Sequence, residues 1–223
     1  MSGERGSGVP GGTASAPGSQ NRYLDRVYAA DTPEKTRDLY NAWAASYDDE
    51  IREAGYVTPR RCARALHEAA GTTDLVVLDW GCGTGLSGLA LREEGFEIID
   101  GLDISEEMLA RAARREGIYR KLILTTPDEP CPFEPGTYSA IVAAGAIGAG
   151  AAPPEVIDAL IGHLGSGGYL VLSLNDHALA DPGYEGRLLE HVDCGAAELL
   201  FREHGPHLPG IGLEASVYVL RKR

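Results

Sequence analysis

The residues best suited to chemistry crowd into one stretch, Val76 to Gly88, which reads VVLDWGCGTGLSG. A carboxylate, Asp79, closes an apolar run, and Gly81, Gly83 and Gly85 follow at alternate positions. That is more glycine than a plain turn needs. It suits backbone that takes positive φ or comes against a ligand that a Cβ would block. A dinucleotide loop would read Gly-x-Gly-x-x-Gly, yet Leu86 stands at the third small position and the third glycine comes one residue early. Asp79 would also oppose a polyphosphate, since a unit charge pair ~4 Å apart is worth roughly 4 kcal/mol at an effective dielectric of 20. A cationic, phosphate-free ligand fits better. Further on, Asp103 ends a second apolar run. Asp176 and His177 follow a third. Histidine titrates near neutrality, which makes His177 a candidate general base, with Asp176 orienting it or acting instead. The competing reading of His177 is a surface loop residue.

The elements that must position these groups alternate between strand and helix. Thr32-Pro33 predicts a helix start, with Leu39, Trp43, Tyr47 and Ile51 at steps of four and Tyr40 beside them. Thr58-Pro59 repeats the cap signal for a helix that Gly71 ends. Arg60 and Arg61 fall in its first turn, where positive charge is unfavourable, so one of them has either a ligand carboxylate or solvent as its partner. Strands are expected at Leu75 to Asp79, Phe96 to Leu102, Tyr119 to Thr125, Tyr138 to Ala146 and Tyr169 to Leu174. Helices are expected over Thr84 to Glu94, over Glu106 to Arg115 with Met108 inward, from Pro153, and over Tyr184 to Val192. Ser105 caps the helix after Asp103, which frees Asp103 to bind. Gly145 to Gly150 makes a small-residue loop at a strand's carboxyl end, where open α/β sheets place ligands. The runs Ala197 to Arg202 and Leu213 to Leu220 read as a terminal antiparallel pair, with His204 and His207 in a solvated loop between them. The expected fold is one doubly wound α/β domain over residues 31–223, mostly parallel, behind a disordered Gly/Ser/Pro-rich tail at 1–30.

The glycine stretch resembles motif I of the class I methyltransferases that use S-adenosylmethionine (SAM), a ligand with an ammonium, a carboxylate and a sulfonium. The spacing of Trp43-Ala-Ala-Ser-Tyr47-Asp48, Val-Leu-Asp-x-Gly-Cys-Gly-Thr-Gly-Leu and Thr137-Tyr138-Ser-Ala-Ile-Val is similar to the methyltransferase-like proteins of the Williams-Beuren region group. The resemblance implies a Rossmann-like domain holding SAM through Asp79, Gly81, Cys82, Gly83, Gly85 and Leu86. Asp103, with Ile104 and Met108, would take the ribose and its surroundings. Adenine is held by backbone, by Thr126 or by Asp128, because the usual acidic residue is missing. Gly145 leaves space for the methyl group. Tyr40, Trp43 and Tyr47 would cover the cofactor, the alternative being simple core packing, and Arg60 would meet its carboxylate. Tyr23 and Tyr28 are weaker substrate contacts. Where the family usually has Phe-Asp before strand four, Ser139 replaces the aspartate. That departure, with an acid-free loop after strand four, motivates an alternative reading as a non-catalytic SAM-binding partner subunit or sensor. A nucleotide-dependent oxidoreductase ranks third.

Composition narrows the acceptor. Acidic residues exceed basic ones by 33 − 20 = 13, so a small-molecule substrate is expected, nucleic acid is not, and a protein acceptor would be a basic one. The four cysteines, widely separated, suggest neither a disulfide framework nor zinc, and His67, His163 and His191 are too irregular for a metal site. No apolar run reaches a membrane span and no signal peptide is visible, so a cytoplasmic protein without membrane contact is expected. Oligomeric state leaves no mark.

Overall fold

The computed structural model describes residues 32–223. The tail expected at 1–30, with Tyr23 and Tyr28, lies outside them. Alternation along the strands dictates the layers. In β1 (Val76–Trp80), Val77 is buried with Cys62, Leu66, Leu91 and Phe96, whereas Leu78 and Trp80 are buried with Ile157, Leu160 and Leu188. In β5 (Tyr169–Asn175), Val171 joins the first cluster and Leu170, Leu172 and Leu174 the second. Both faces of the sheet are therefore apolar and need helices. α3 (Thr58–Ala70) and α4 (Leu86–Glu93) supply the first cluster, and α6 (Val156–His163) and α8 (Pro182–Asp193) the second.

The remaining strands are β2 (Ile98–Asp103), β3 (Lys121–Leu124), β4 (Ala140–Ala143), β6 (Ala197–Leu208) and β7 (Leu213–Lys222). Together they make a seven-stranded sheet of order β3-β2-β1-β4-β5-β7-β6. The first five are parallel, and β7 is antiparallel to both its neighbours. β1 pairs with β2 on one side and β4 on the other, so the strand order reverses there and a crevice opens at the carboxyl ends. No helix among the described residues is long and apolar enough to cross a membrane.

The expected aromatic stripe is divided between two helices, α1 (Pro33–Trp43) and α2 (Tyr47–Glu53). Thr32 caps the first as its sequence predicts, accepting from the Lys35 amide. Ser46 opens the second, donating to Glu50, and Asp48, Asp49 and Glu50 complement the positive end of that helix. Trp43, Ile51, Ala54 and Leu208 then form a third, smaller core beneath Tyr40, Tyr47 and Tyr56. β4 is shorter than its apolar run because Gly145 turns away at φ +68, its amide donating to Ser173 Oγ at 2.8 Å.

Candidate active site

A cavity of about 290 Å³ fills the crevice, close to the ~300 Å³ at which small-molecule pockets begin. The turn between β1 and α4 forms its floor through Gly81, Cys82, Gly83, Thr84 and Leu86. Gly81 packs so tightly that a Cβ would come within 2.5 Å of Ala146 Cβ, whereas one at Gly83 would meet no protein atom within 4 Å and so border open space. Gly85 does not line the cavity. It precedes α4 and packs against Arg115 and Tyr119.

Asp103 ends β2 and lines the cavity. Its Oδ2 accepts from Gly83 N at 2.8 Å and its Oδ1 from Ser105 N at 2.9 Å. Burial pushes its pKa up, and the amides of Ser105, Gly83 and Ile104 oppose that. Ser105 caps α5 (Glu106–Ala112), accepting from the Met108 amide as expected. Ile104, Met108 and Thr126 line the same end of the cavity, and Trp80 Nε1 fixes the neighbouring loop by donating to Pro130 O at 2.7 Å. Asp128, the other side chain considered for adenine, is exposed and off the wall.

Several expected placements change. Asp79 is fully buried but does not reach the cavity. The two-residue period of β1 sends it to the α4 side, where Oδ2 accepts from Ser87 Oγ at 2.7 Å and Tyr119 OH at 2.6 Å. Oδ1 has no partner among the described residues, and burial pushes the carboxyl up to about 6. Arg60 lies on the outer face of α3 beside Glu93 at 3.3 Å, 75% exposed, and is not a cavity residue. His177 and Asp176 are exposed residues of a short helix, α7 (Asp176–Leu179), and neither lines this cavity or the smaller one beside it. Asp176 Oδ2 instead accepts from Glu214 N at 3.1 Å. Ser139 is at the amino end of β4, bonded through its backbone to Val76 and Tyr169. Its departure from the family pattern is therefore remote from the cavity.

Tyr40 and Tyr47 line the cavity, and Trp43 is on the wall of a second, smaller cavity. Three ties hold their helices. Asp48 accepts from Thr84 Oγ1 and Arg115 Nη2, both at 2.5 Å. Ser105 Oγ donates to Asn41 Oδ1 at 2.5 Å, and Thr36 Oγ1 to Gly150 O at 3.4 Å.

Sequence reasoning missed Tyr56, Thr58 and His207. The Thr58 hydroxyl makes no helix cap and stands 2.7 Å from His207 Nδ1. His207 belongs to β6 rather than a solvated loop and is only 7% exposed. With the partners 149 positions apart in the chain, no local pattern could reveal the pair.

A methyltransferase domain family model matches residues 53–215. Methyltransferase-like protein 27 of Homo sapiens is 36% identical over 125 residues, covering 55% of this chain and 51% of that protein. The 18S rRNA (guanine-N(7))-methyltransferase of Bos taurus is 45% identical over 71 residues, 32% of this chain and 25% of that protein. The chain thus spans about half, or less, of the length of these curated relatives. In fold it is similar to the 1,6-didemethyltoxoflavin-N1-methyltransferase of Burkholderia thailandensis, whose crystal structure holds 1,6-didemethyltoxoflavin and S-adenosylhomocysteine. The TM-score is 0.60 at 18% identity, covering 86% of this chain and 91% of that one.

The rRNA relatives overturn the exclusion of nucleic acid that the acidic balance suggested. A net charge of −13 is a sum over the whole chain and does not describe any one surface. The glycine turn, the acidic end of β2 and the matching family model together place the protein: it belongs to the methyltransferase domain family, the class I methyltransferases whose cofactor is SAM.

Proposed function

We propose that this chain transfers a methyl group from SAM to a small-molecule acceptor. The observation that carries the reading is a single cavity that gathers the glycine turn, the Asp103 carboxylate and the small-residue loop Ala144 to Ala146 at the carboxyl ends of β1, β2 and β4. The residues fit the cofactor. Gly83 borders space that a side chain would fill, and the Asp103 carboxylate, which already meets the amides of Gly83, Ser105 and Ile104, keeps lone-pair capacity for a ribose hydroxyl. Ile104, Met108 and Thr126 would flank the adenine.

When bound, SAM supplies a methyl group already activated on sulfur. The chain's own task is to orient two ligands and keep water out. Tyr40, Tyr47 and Tyr56 roof the acceptor end, and the ties from Asp48, Asn41 and Thr36 hold the roof down. A covered approach of this kind supports a small acceptor.

Calorimetry with SAM and S-adenosylhomocysteine tests the cofactor, and binding of both is expected. Transfer of labelled methyl from SAM into a metabolite extract, run beside total RNA and a protein lysate, tests the acceptor. Label in the metabolite fraction is the expected result. Label confined to RNA or protein overturns the small-molecule reading, and absence of binding overturns the whole proposal.

A further inference from the structure

A second cavity of about 50 Å³ adjoins the first and shares Tyr40, Tyr47, Tyr56, Gly145 and Ala151 with its wall. A single water needs roughly 10–15 Å³ of such space, so this one admits a few heavy atoms, the edge of a ligand rather than its body. Its described wall contains no Asp, Glu, Lys or Arg. A charged group entering it would lose its hydration with no counter-ion on that wall, Arg61 and Asp176 lying behind it.

The polar feature that stands out is His207. Nδ1 is occupied by Thr58 Oγ1 at 2.7 Å, and the ring packs edge-on against Tyr56 at 5.2 Å between centroids. Its Cε1 edge lies 3.9 Å from the position a Cβ would take on Gly145, where the two cavities meet. Burial, reinforced by Arg61 and opposed by Asp176, pushes its pKa down to about 4. The imidazole is therefore neutral at physiological pH, and with Nδ1 engaged by Thr58 the ring has Nε2 left, an acceptor when Nδ1 carries the proton. Gly145 keeps the passage open, since a Cβ there would come within 2.3 Å of Tyr56 OH. Aromatic rings dominate the approach: Tyr40 stacks on Trp43 at 5.8 Å, and Tyr47 meets Trp43 edge-on at 4.7 Å.

We infer that the smaller cavity is the acceptor subsite, where His207 reads the O–H or N–H edge of an uncharged aromatic or heteroaromatic ring carried on a free small molecule. The ring's body stays in the larger cavity among the tyrosines. This rests on the methyl-transfer reading, because only a second ligand beside the cofactor calls for such a subsite.

The test uses the full chain saturated with S-adenosylhomocysteine and four probes of similar size: phenol, toluene, benzoate and benzylammonium. Phenol is expected to bind roughly tenfold more tightly than toluene, the value of one hydrogen bond to a buried group, and more tightly than either ion. His207→Phe should erase the preference for phenol over toluene while leaving S-adenosylhomocysteine affinity unchanged. In the wild-type chain, nitrogen NMR of the histidine rings gives a second readout that does not depend on that variant folding. Phenol, but not toluene, should shift one ring, and Thr58→Val should displace the same signal. Equal binding of phenol and toluene, tighter binding of either ion, or a preference that survives His207→Phe would overturn the inference. So would displacement of phenol by a mixed-sequence RNA hexamer. If S-adenosylhomocysteine itself fails to bind, the methyl-transfer reading falls first and takes this one with it.

Discussion

Asp48 offers the sharpest test of how the aromatic cover is coupled to the glycine turn. It is the residue of α2 that ties that helix to Thr84 in the turn, and to Arg115, whose Nε donates in turn to Thr84 O at 2.7 Å. The Arg115 and Asp48 side chains are 25% and 34% exposed, between a surface pair and a buried one. Hydrogen bonds to charged groups contribute about 1.5–3 kcal/mol and exposed ion pairs 0–1 kcal/mol, so the intermediate case suggests about 2 kcal/mol for the whole tie. If the cover docks most firmly over bound cofactor, Asp48→Ala raises the Kd for S-adenosylhomocysteine about 30-fold. Asp48→Asn keeps an acceptor for Thr84 and loses the ion pair, so a smaller rise of roughly 5-fold is expected. Calorimetry measures both, and thermal melts of the unliganded variants separate affinity from folding. A Kd within twofold of wild type for Asp48→Ala would refute the coupling. A loss seen only in the melting temperature would mean that the tie is a folding contact.

Other residues give further outcomes. The folded pKa of Asp79, about 6, stands above the ordinary unfolded value of ~3.9, so the folded chain holds the extra proton between them. Its contribution to stability is full below about pH 4 and is lost as pH rises through 6, a swing of roughly 3 kcal/mol. Urea titrations of wild type and Asp79→Asn at pH 5 and pH 8 should move in the variant's favour at the higher pH, and a difference independent of pH would contradict this. Gly145→Ala meets both a positive φ and the Tyr56 hydroxyl, and a stability loss of about 1–3 kcal/mol is expected in the same titrations. Arg60→Ala should leave cofactor affinity within twofold, since that side chain is exposed beside Glu93; a tenfold loss would restore the ligand-carboxylate reading. Asp103→Ala should weaken S-adenosylhomocysteine binding at least tenfold, because it removes the proposed ribose acceptor and strands the Gly83 and Ser105 amides.

The sequence by itself determined what depends on neighbours along the chain. Gly81 to Gly85, the acidic end of β2, the Ser105 cap and the strand-helix alternation are local patterns of spacing and backbone preference, and the sheet and its glycine turn follow from them. Tertiary structure decided what depends on direction and on distant partners. Asp79 is one residue from the cavity in sequence, but strand parity turns it behind the turn. Arg60 and His177 have suitable chemistry on outward faces. Thr58 gives its hydroxyl to His207 across the fold rather than to its own helix. Side-chain periodicity within an element can be read from one chain, whereas the meeting of α3, β6 and the turn at Gly145 exists only once the sheet has brought them together.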